Sequence, residues 1–343
     1  MAFNELNSVE YYIINKLSGT NLNTQSFKEP IPTYGPTWVY KSAQELNRSV
    51  NEVLVESDLK AALIKLNPAI KNNPDLADEV IYKLRAILIS VNQTGLVRAN
   101  EEFAKWLCGD KTMPFGTNNR HIPVRLIDFE DLTHNEYVIT NQYRVRHRET
   151  KIPDVVLLIN GIPVVIGEAK TPIREAISWL DGAHEVHDIY ENAVPQLFVP
   201  NILSFATEGK ELFYGAVRTP LEFWSPWRLE DDEGTLARRL GLGEIGKELT
   251  SLLNPKVLLD ILQNFSLYSS GKKNKRIKII CRFQQYEGAN KIVNRVKEGR
   301  IKKGLIWHFQ GSGKSLLMMF AAQKLRKTPE LKSPTVLVLV DRT

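Results

Sequence analysis

The sequence predicts an α/β protein in which a helical N-terminal region precedes a mixed sheet flanked by helices, with a second α/β unit beginning near the C-terminus. Three observations predict this fold class. Apolar residues recur at helical spacing over residues 1 to about 120, and two short β-branched runs flank Asn160-Gly161, a pair typical of a β-hairpin. A glycine-rich loop then lies between strand-like and helix-like runs. We therefore divide the chain into residues 1–265, a linker at 266–276 and residues 277–343.

The composition excludes several classes of protein. With 343 residues, 43% hydrophobic and 24% charged, the chain has the balance of a globular protein, and its formal net charge is only +6. Two cysteines, Cys108 and Cys281, are too few for a disulfide framework or a cysteine-rich zinc site. The first residues lack a secretion signal, and no apolar run reaches the roughly 18 residues of a membrane span. We expect a cytoplasmic protein without membrane contact.

The order of elements follows from periodicity. Helices are predicted at 10–17, 54–66 and 76–91, strands at 154–159 and 162–167, a helix at 173–190, a strand pair at 201–206 and 212–217, and helices within 241–265. After a stretch of linker composition at 269–276, a helix at 283–298, a strand at 304–307, a helix at 314–325 and a strand at 335–340 predict the opening of a parallel nucleotide-binding sheet. So few strands cannot close such a sheet, so we expect a fragment of a longer polypeptide.

The glycine-rich loop has the chemistry of a phosphate site. Its predicted ATP-binding residues are Gly311, Ser312, Gly313, Lys314 and Ser315. Glycines let backbone N–H groups surround phosphates at a helix N-terminus, while Lys314 would reach the β- and γ-phosphates and Ser315 would bind Mg²⁺. The first glycine of the usual pattern is replaced by His308, so the entry to the loop is expected to differ.

A glutamine about 25 residues before this loop is typical of helicase-like ATPases, in which it binds the adenine edge. Gln285 is the first candidate and Gln284 the second. A glutamine pair at the start of a helix can also be merely solvated, and only its spacing from the loop favours the nucleotide role.

The predicted hairpin carries a second constellation. Pro153-Asp154, thirteen intervening residues and Glu168-Ala169-Lys170 fit the PD-(D/E)xK nuclease pattern. Asp154 and Glu168, with the carbonyl of Ala169, offer the oxygen ligands that Mg²⁺ prefers, and such a metal generates hydroxide and neutralises phosphate charge. Lys170 would orient or deprotonate the attacking water. The alternative is that these are ordinary exposed ends of a hairpin.

The register of the hairpin constrains this site. With a two-residue Asn-Gly turn, Asp154 lies opposite Gly167, and Glu168 points to the other face of the sheet. The two carboxylates share a face only if the loop is odd-numbered or a β-bulge intervenes. We predict such an irregularity.

Several segments resemble the R (motor) subunits of type I restriction enzymes. They are residues 154–176, 198–201, 206–209, 306–315 and 337–342, in the order nuclease then motor. The resemblance implies a PD-(D/E)xK nuclease domain followed by the first RecA-like domain of a superfamily 2 translocase. It also implies ATP and Mg²⁺ as cofactors, and methylation and specificity subunits as partners. The implied activity is ATP-dependent cleavage of double-stranded DNA.

One motif departs from the family pattern. The family often carries Gln-x-x-x-Tyr in the helix after the lysine, whereas here Glu185 occupies the glutamine position and Tyr190 is displaced by one residue. His187 and Tyr190 are weaker candidates for proximity to DNA or metal. The alternating arginines before Asp154 are candidates for DNA phosphates, with a solvated strand as the alternative: Arg144, Arg146 and Arg148.

Two other functions remain open. The first is a superfamily 2 translocase or repair helicase whose nuclease-like domain only binds DNA, and the second is a non-catalytic module that assembles methylation subunits. We also expect this chain to lack ATPase turnover. Hydrolysis needs an acidic residue on a later strand and an arginine from a second motor domain.

Overall fold

The computed structural model describes residues 9–22, 36–171, 177–228, 245–271 and 275–339. The N-terminal region is helical, as predicted. Its helices are α1 (Tyr11–Ser18), α2 (Glu56–Leu66), α3 (Pro68–Asn72), α4 (Leu76–Thr94) and α5 (Leu96–Leu107). In α4 the buried residues recur every three or four positions, which gives the helix one apolar face towards the core: Ala77, Val80, Ile81, Leu84, Leu88 and Val91.

Strands dominate the middle of the chain. They are β1 (Val39–Tyr40), β2 (Thr112–Met113), β3 (Ile122–Pro123), β4 (Tyr137–Asn141), β5 (Val145–Arg146), β6 (Thr150–Lys151), β7 (Val155–Ile159), β8 (Ile162–Ala169), β9 (Leu203–Thr207), β10 (Leu212–Gly215), β11 (Ser225–Pro226), β12 (Ser266–Ser270) and β13 (Arg276–Ile280). The remaining helices are α6 (Trp179–His184), a π-helical turn (Glu185–Tyr190), α7 (Glu191–Ala193), α8 (Gly246–Leu252), α9 (Pro255–Asn264), α10 (Phe283–Glu298) and α11 (Lys314–Lys327). Within the described ranges, no helix combines the length and apolarity needed to span a bilayer.

A mixed sheet forms the centre of the molecule. Over the described residues its seven strands follow the order β1-β4-β7-β8-β9-β10-β11. Pairing is parallel at β1–β4 and β8–β9 and antiparallel elsewhere. All eight residues of β8 are buried, because this strand has neighbours on both sides and packed layers on both faces. The predicted mixed α/β fold class is confirmed at this level.

The hairpin between β7 and β8 turns where the sequence predicts. Asn160 and Gly161 have φ values of 52° and 75°, the left-handed pair of a type I′ turn. The N–H of Val55 donates to the carbonyl of Gly161 at 2.8 Å. A Cβ at Gly161 would lie 2.4 Å from the carbonyl oxygen of Val55. Glycine is therefore required here by close packing as well as by backbone conformation.

The stretch assigned to a linker is largely structured. Strands β12 and β13 pair antiparallel from Ser266↔Ile280 to Ser270↔Arg276, and residues 272–274 between them lie outside the described residues. The buried Lys278 ammonium donates to the carbonyls of Asn201 and Ile202 at 2.7 and 2.9 Å. This hairpin is thus bonded to the segment that leads into β9.

Two strand predictions near the C-terminus are wrong for the described residues. Residues 304–307 and 335–339 have no strand pairing, and residue 340 lies outside the described ranges. Leu305 and Trp307 are 85% and 89% exposed. A β-strand needs hydrogen-bond partners, and among the described residues these two segments have none. The helices on either side of the glycine-rich loop, α10 and α11, form as predicted.

We predict that Gly161→Ala destabilises the protein more than Gly109→Ala. The φ values at the two positions, +75° and +77°, are matched, but a Cβ at Gly109 has no atom within 4 Å. Both variants lose about 1 kcal/mol from the left-handed conformation, and Gly161→Ala should lose roughly 1–3 kcal/mol more from overpacking. Urea denaturation of both variants measures the difference. Equal losses would contradict the close-packing argument.

Candidate active site

A β-bulge brings two carboxylates together. In the β7–β8 pair, Leu158 lies opposite Pro163 but Leu157 lies opposite Val165, so Val164 is an extra residue in β8. The shifted register pairs Val155 with Gly167, which places the neighbouring Asp154 and Glu168 opposite one another. The N–H of Ala169 donates to Asp154 Oδ2 at 2.9 Å. The predicted irregularity is confirmed, and it puts both carboxylates on one face.

The electrostatics of Glu168 favour a bound cation. Burial and the neighbouring Asp154 carboxylate raise the pKa of Glu168 well above its usual range, and the residue is only 2% exposed. Its Oε2 atom has no hydrogen-bond partner among the described residues. A buried carboxylate oxygen without a donor is costly unless a cation approaches it.

Few protein groups at this site can serve as metal ligands. Across the described part of the chain, no group of three or more His, Cys, Asp or Glu side chains is arranged to hold a metal. Asp154 and Glu168 supply two carboxylates, and the backbone carbonyl of Ala169 is the third ligand predicted from sequence. Such a set suits Mg²⁺, which retains several waters and needs only one or two protein carboxylates.

Lys170 lies between two carboxylates. Its ammonium is 2.9 Å from Glu168 Oε1 and 2.5 Å from Glu185 Oε2. Burial alone would lower the pKa of Lys170, but the two carboxylates outweigh it and raise the pKa above its usual range. Lys170 is therefore a fixed cation at neutral pH. Of the two roles left open by the sequence, this favours orienting water and phosphate over removing a proton.

A π-helical turn compensates for the displaced tyrosine. Residues five apart in an α-helix point about 140° from each other, whereas the wider π-turn brings them close to alignment. The turn Glu185–Tyr190 has this geometry. Its Tyr190 hydroxyl donates to Glu185 Oε1 at 2.9 Å and lies 3.4 Å from Glu168 Oε1. The π-helical turn thus accommodates the one additional residue between Glu185 and Tyr190 relative to the family spacing.

Two polar residues that the sequence analysis did not select also approach Asp154. Glu10 is 1% exposed, and the Gln142 side-chain amide donates to Glu10 Oε2 at 3.1 Å and to Asp154 Oδ1 at 3.3 Å. Gln142 has a φ of 51°, a strained conformation for a non-glycine residue. Burial and then Asp154 raise the pKa of Glu10 to about 7, although amide hydrogen bonds from Asn141 and Gln142 oppose the rise. No local sequence signal marks either residue.

Gln285, the first candidate for the adenine-binding glutamine, contacts the phosphate loop. Gln285 is buried, and its amide donates to the carbonyls of Ser312 and Gly313 at 3.1 and 3.3 Å. Gly313, with φ of 81°, precedes α11. The Lys314 ammonium donates to the carbonyls of His308 and Phe309 at 3.1 and 3.0 Å. The structure therefore brings Gln285 and the loop into direct contact, whereas Gln284 makes no such contact among the described residues.

Comparison with known proteins identifies the family. The family model described as "Type I restriction enzyme R protein N terminus" matches residues 34–223, more than half of the chain. The chain belongs to this family. Residues 284–343 match the SWI2/SNF2 ATPase model, which covers Gln285 and the phosphate loop. Glu10 lies outside both matched regions.

Relatives of this R protein family extend the similarity. The chain is 31% identical over 322 residues to the type I restriction enzyme HindI endonuclease subunit of Haemophilus influenzae, covering 89% of this chain and 30% of that protein. It is 28% identical over 334 residues to the putative MjaIXP endonuclease subunit of Methanocaldococcus jannaschii, covering 88% of this chain and 31% of that protein. The chain thus spans about a third of the length of these curated relatives.

The weaker site candidates lie close to the carboxylates in sequence but differ in environment. Arg144, Arg146 and Arg148 are exposed on and beside the short β5–β6 pair. His187 lies in the π-helical turn, and its Nδ1 is 2.7 Å from Asp188 Oδ1. The structure therefore pairs His187 with a neighbouring aspartate, whereas Tyr190 of the same turn contacts Glu185.

We predict that Glu10→Gln reduces the loss of stability between pH 5 and pH 8. With a pKa of about 7 in the folded state and 4.5 as the reference, Glu10 binds more protons when folded. Its contribution to stability is therefore present below pH 4.5 and is lost as pH rises through 7. Because glutamine does not titrate, the Glu10→Gln variant should lose on the order of 2 kcal/mol less folding stability than the wild type as pH rises.

Urea denaturation in EDTA at both pH values measures the effect. The matched control is Glu79→Gln, an exposed position of α4, which should follow the wild type. A Glu10→Gln variant with the wild-type pH dependence would show that Glu10 titrates normally.

Proposed function

We propose that Asp154, Glu168 and Lys170 form the catalytic centre of a Mg²⁺-dependent endonuclease with a PD-(D/E)xK fold, acting on double-stranded DNA. The observation that carries the proposal is the β-bulge at Val164, which sets Asp154 opposite Glu168. The buried Glu168 Oε2 atom without a partner among the described residues supports it. The names of the relatives, endonuclease subunits of type I restriction enzymes, agree with this activity.

Asp154, Glu168 and the carbonyl of Ala169 would hold the Mg²⁺ ion. The carboxylates are close enough that Asp154 raises the pKa of Glu168, and a divalent cation relieves this repulsion. When bound, Mg²⁺ supplies an activated water and neutralises charge on the phosphate.

The protein side chains would then orient the reacting groups. The Lys170 ammonium, fixed by Glu168 and Glu185, provides a positive charge beside the scissile phosphate. Glu185 acts as a positioning residue, because it contacts Lys170 and accepts the Tyr190 hydrogen bond. A DNA clamp without cleavage, the rival reading, has no need for two carboxylates beside a polyanion.

The nucleotide part of the proposal rests on the phosphate loop. We propose that Gly311, Ser312, Gly313, Lys314 and Ser315 bind the phosphates of ATP, with Gln285 at the adenine edge. The SWI2/SNF2 ATPase match over residues 284–343 supports this. In the complete enzyme, ATP would drive DNA translocation in a complex with methylation and specificity subunits, in the cytoplasm with the DNA substrate. For this chain we propose nucleotide binding without turnover.

We predict that Asp154→Asn and Lys170→Ala strongly reduce Mg²⁺-dependent cleavage of plasmid DNA. Loss of a metal ligand or of a fixed charge at the phosphate should lower the cleavage rate by about 10²–10³-fold. The exposed α4 variant Lys83→Ala is the control and should cut at the wild-type rate. Gel analysis of nicked and linear products measures cleavage. Undiminished cleavage by both site variants would refute the proposed centre.

We predict that Glu185→Ala slows cleavage about 10–100-fold at saturating DNA without weakening DNA affinity, because it releases the Lys170 ammonium. Glu185→Gln retains an acceptor and should recover part of the rate. Asp188→Ala is a matched control in the same π-helical turn, since Asp188 contacts His184 and His187 rather than Lys170. If Asp188→Ala slowed cleavage as much as Glu185→Ala, the effect would belong to the turn and not to Glu185.

A further inference from the structure

A two-stranded ribbon extends from the end of the sheet at which Asp154 lies. Beyond β4 and β7, the N–H of Gln142 donates to the carbonyl of Asp154, and the N–H of Tyr143 donates to that of Pro153, both at 3.1 Å. Pairing then continues through β5 and β6. We call residues 142–153 the basic ribbon. The ribbon begins beside Asp154, a proposed metal ligand.

Positive charge covers the outer face of the basic ribbon. Arg144, Arg146 and Arg148 are exposed, whereas Tyr143 and Val145, which alternate with the first two, are buried. The ribbon contains three arginines and one lysine against one glutamate, a net charge of +3, whereas the 343-residue chain carries only +6. Half of the formal net charge is thus found in twelve residues beside the carboxylates.

These guanidinium groups are available to a ligand. The one glutamate of the ribbon, Glu149, pairs with Lys151 at 2.8 Å. Throughout the described residues, no carboxylate lies within ion-pair distance of the three arginines. Among the described residues, Arg146 Nε contacts the Thr150 hydroxyl at 3.4 Å. Exposed arginines without acidic partners are typical of phosphate-binding surfaces.

The ribbon is fixed at its inner face. The Arg48 guanidinium stacks 3.5 Å from the Tyr143 ring centroid and donates to the carbonyl of Arg144. The Tyr143 hydroxyl donates to the carbonyl of Val53 at 2.8 Å, and the N–H of Arg146 donates to that of Val50 at 2.7 Å. The backbone that carries the arginines is therefore preorganised, which lowers the entropic cost of binding.

We propose that the basic ribbon is a clamp for the backbone of duplex DNA, in which Arg144, Arg146 and Arg148 bind phosphates beside the one at Asp154 and Glu168. Arg144 and Arg146 are alternate residues of the extended segment that includes β5, about 6.6 Å apart, and Arg148 lies in the turn between β5 and β6. One DNA strand rises 3.4 Å per nucleotide, so the spacing of Arg144 and Arg146 corresponds to about two nucleotides. Arginine forks match phosphate oxygens without reading the sequence. The inference rests on the proposed nuclease function.

The test is the salt dependence of DNA binding. Fluorescence anisotropy measures the affinity of the 343-residue chain for a labelled 30-base-pair duplex in EDTA, where no strand is cut, between about 50 and 300 mM NaCl. Replacing all three arginines by glutamine should reduce the slope of log K against log salt by about 2.7, or 0.9 for each phosphate contact. At 0.15 M salt this corresponds to roughly a 100-fold loss of affinity.

A charge-matched control separates the ribbon from net charge. Lys71, Lys83 and Arg98 are exposed basic residues on α3, α4 and α5, and their triple glutamine variant should keep the wild-type slope. Equal melting temperatures of the variants exclude misfolding. An unchanged slope in the ribbon variant, an equal loss in the control, or a wild-type chain that binds no duplex overturns the clamp. Failure of the wild type to cleave in Mg²⁺ counts instead against the proposed nuclease function.

Discussion

The β-bulge at Val164 is the constraint on which the rest of the site depends. Side chains alternate between the faces of a strand, so a regular hairpin after Asn160-Gly161 would direct Asp154 and Glu168 to opposite sides. One extra residue in β8 reverses the alternation at the strand's end. This shift is what brings Asp154 beside Glu168, whose Oε1 atom also contacts Lys170 and Tyr190.

Three backbone irregularities surround the same carboxylates. The bulge adds one residue to β8, the π-helical turn adds one residue between Glu185 and Tyr190, and Gln142 adopts a left-handed conformation. Each re-aims a polar side chain that regular structure would direct elsewhere. Such features cost free energy and persist where surrounding structure over-determines them, as at functional sites. Here the surroundings are a fully buried β8 and a packed core.

The junction between the sheet and the phosphate loop is also determined by buried polar contacts. Lys278 of β13 is bonded to the carbonyls of Asn201 and Ile202, just before β9, and β9 pairs with β8 beside Glu168. Burial lowers the pKa of Lys278 to about 7, and a buried amine needs such acceptors because an unpaired polar group in the core is unfavourable. Strands β12 and β13 are therefore a docked element of the fold, although residues 271–276 have the glycine- and lysine-rich composition of a linker.

Much of this architecture could be predicted because its signals are local. Each of these signals is contained in one short stretch of sequence: the amphipathic spacing of α4, the Asn160-Gly161 turn and the Gly311–Ser315 loop. The known geometry of helices and turns then predicts the local structure of each stretch. Because side chains alternate between the faces of a strand, the sequence spacing of the two carboxylates even required a bulge in the hairpin before the position of that bulge was known. The wrongly predicted strand at 304–307 shows the limit, since an apolar run does not supply the neighbouring strand that pairing needs.

The sequence by itself determined which side chains offer chemistry: Asp154, Glu168, Lys170 and the phosphate loop. Only the tertiary structure decided which residues surround them. Glu10 lies more than 140 residues before Asp154, yet Gln142 bridges the two carboxylates. The pKa of a carboxylate and the charge state of a lysine depend on burial and on neighbours within a few ångströms. Those distances arise from packing between segments remote in sequence, which no local pattern encodes.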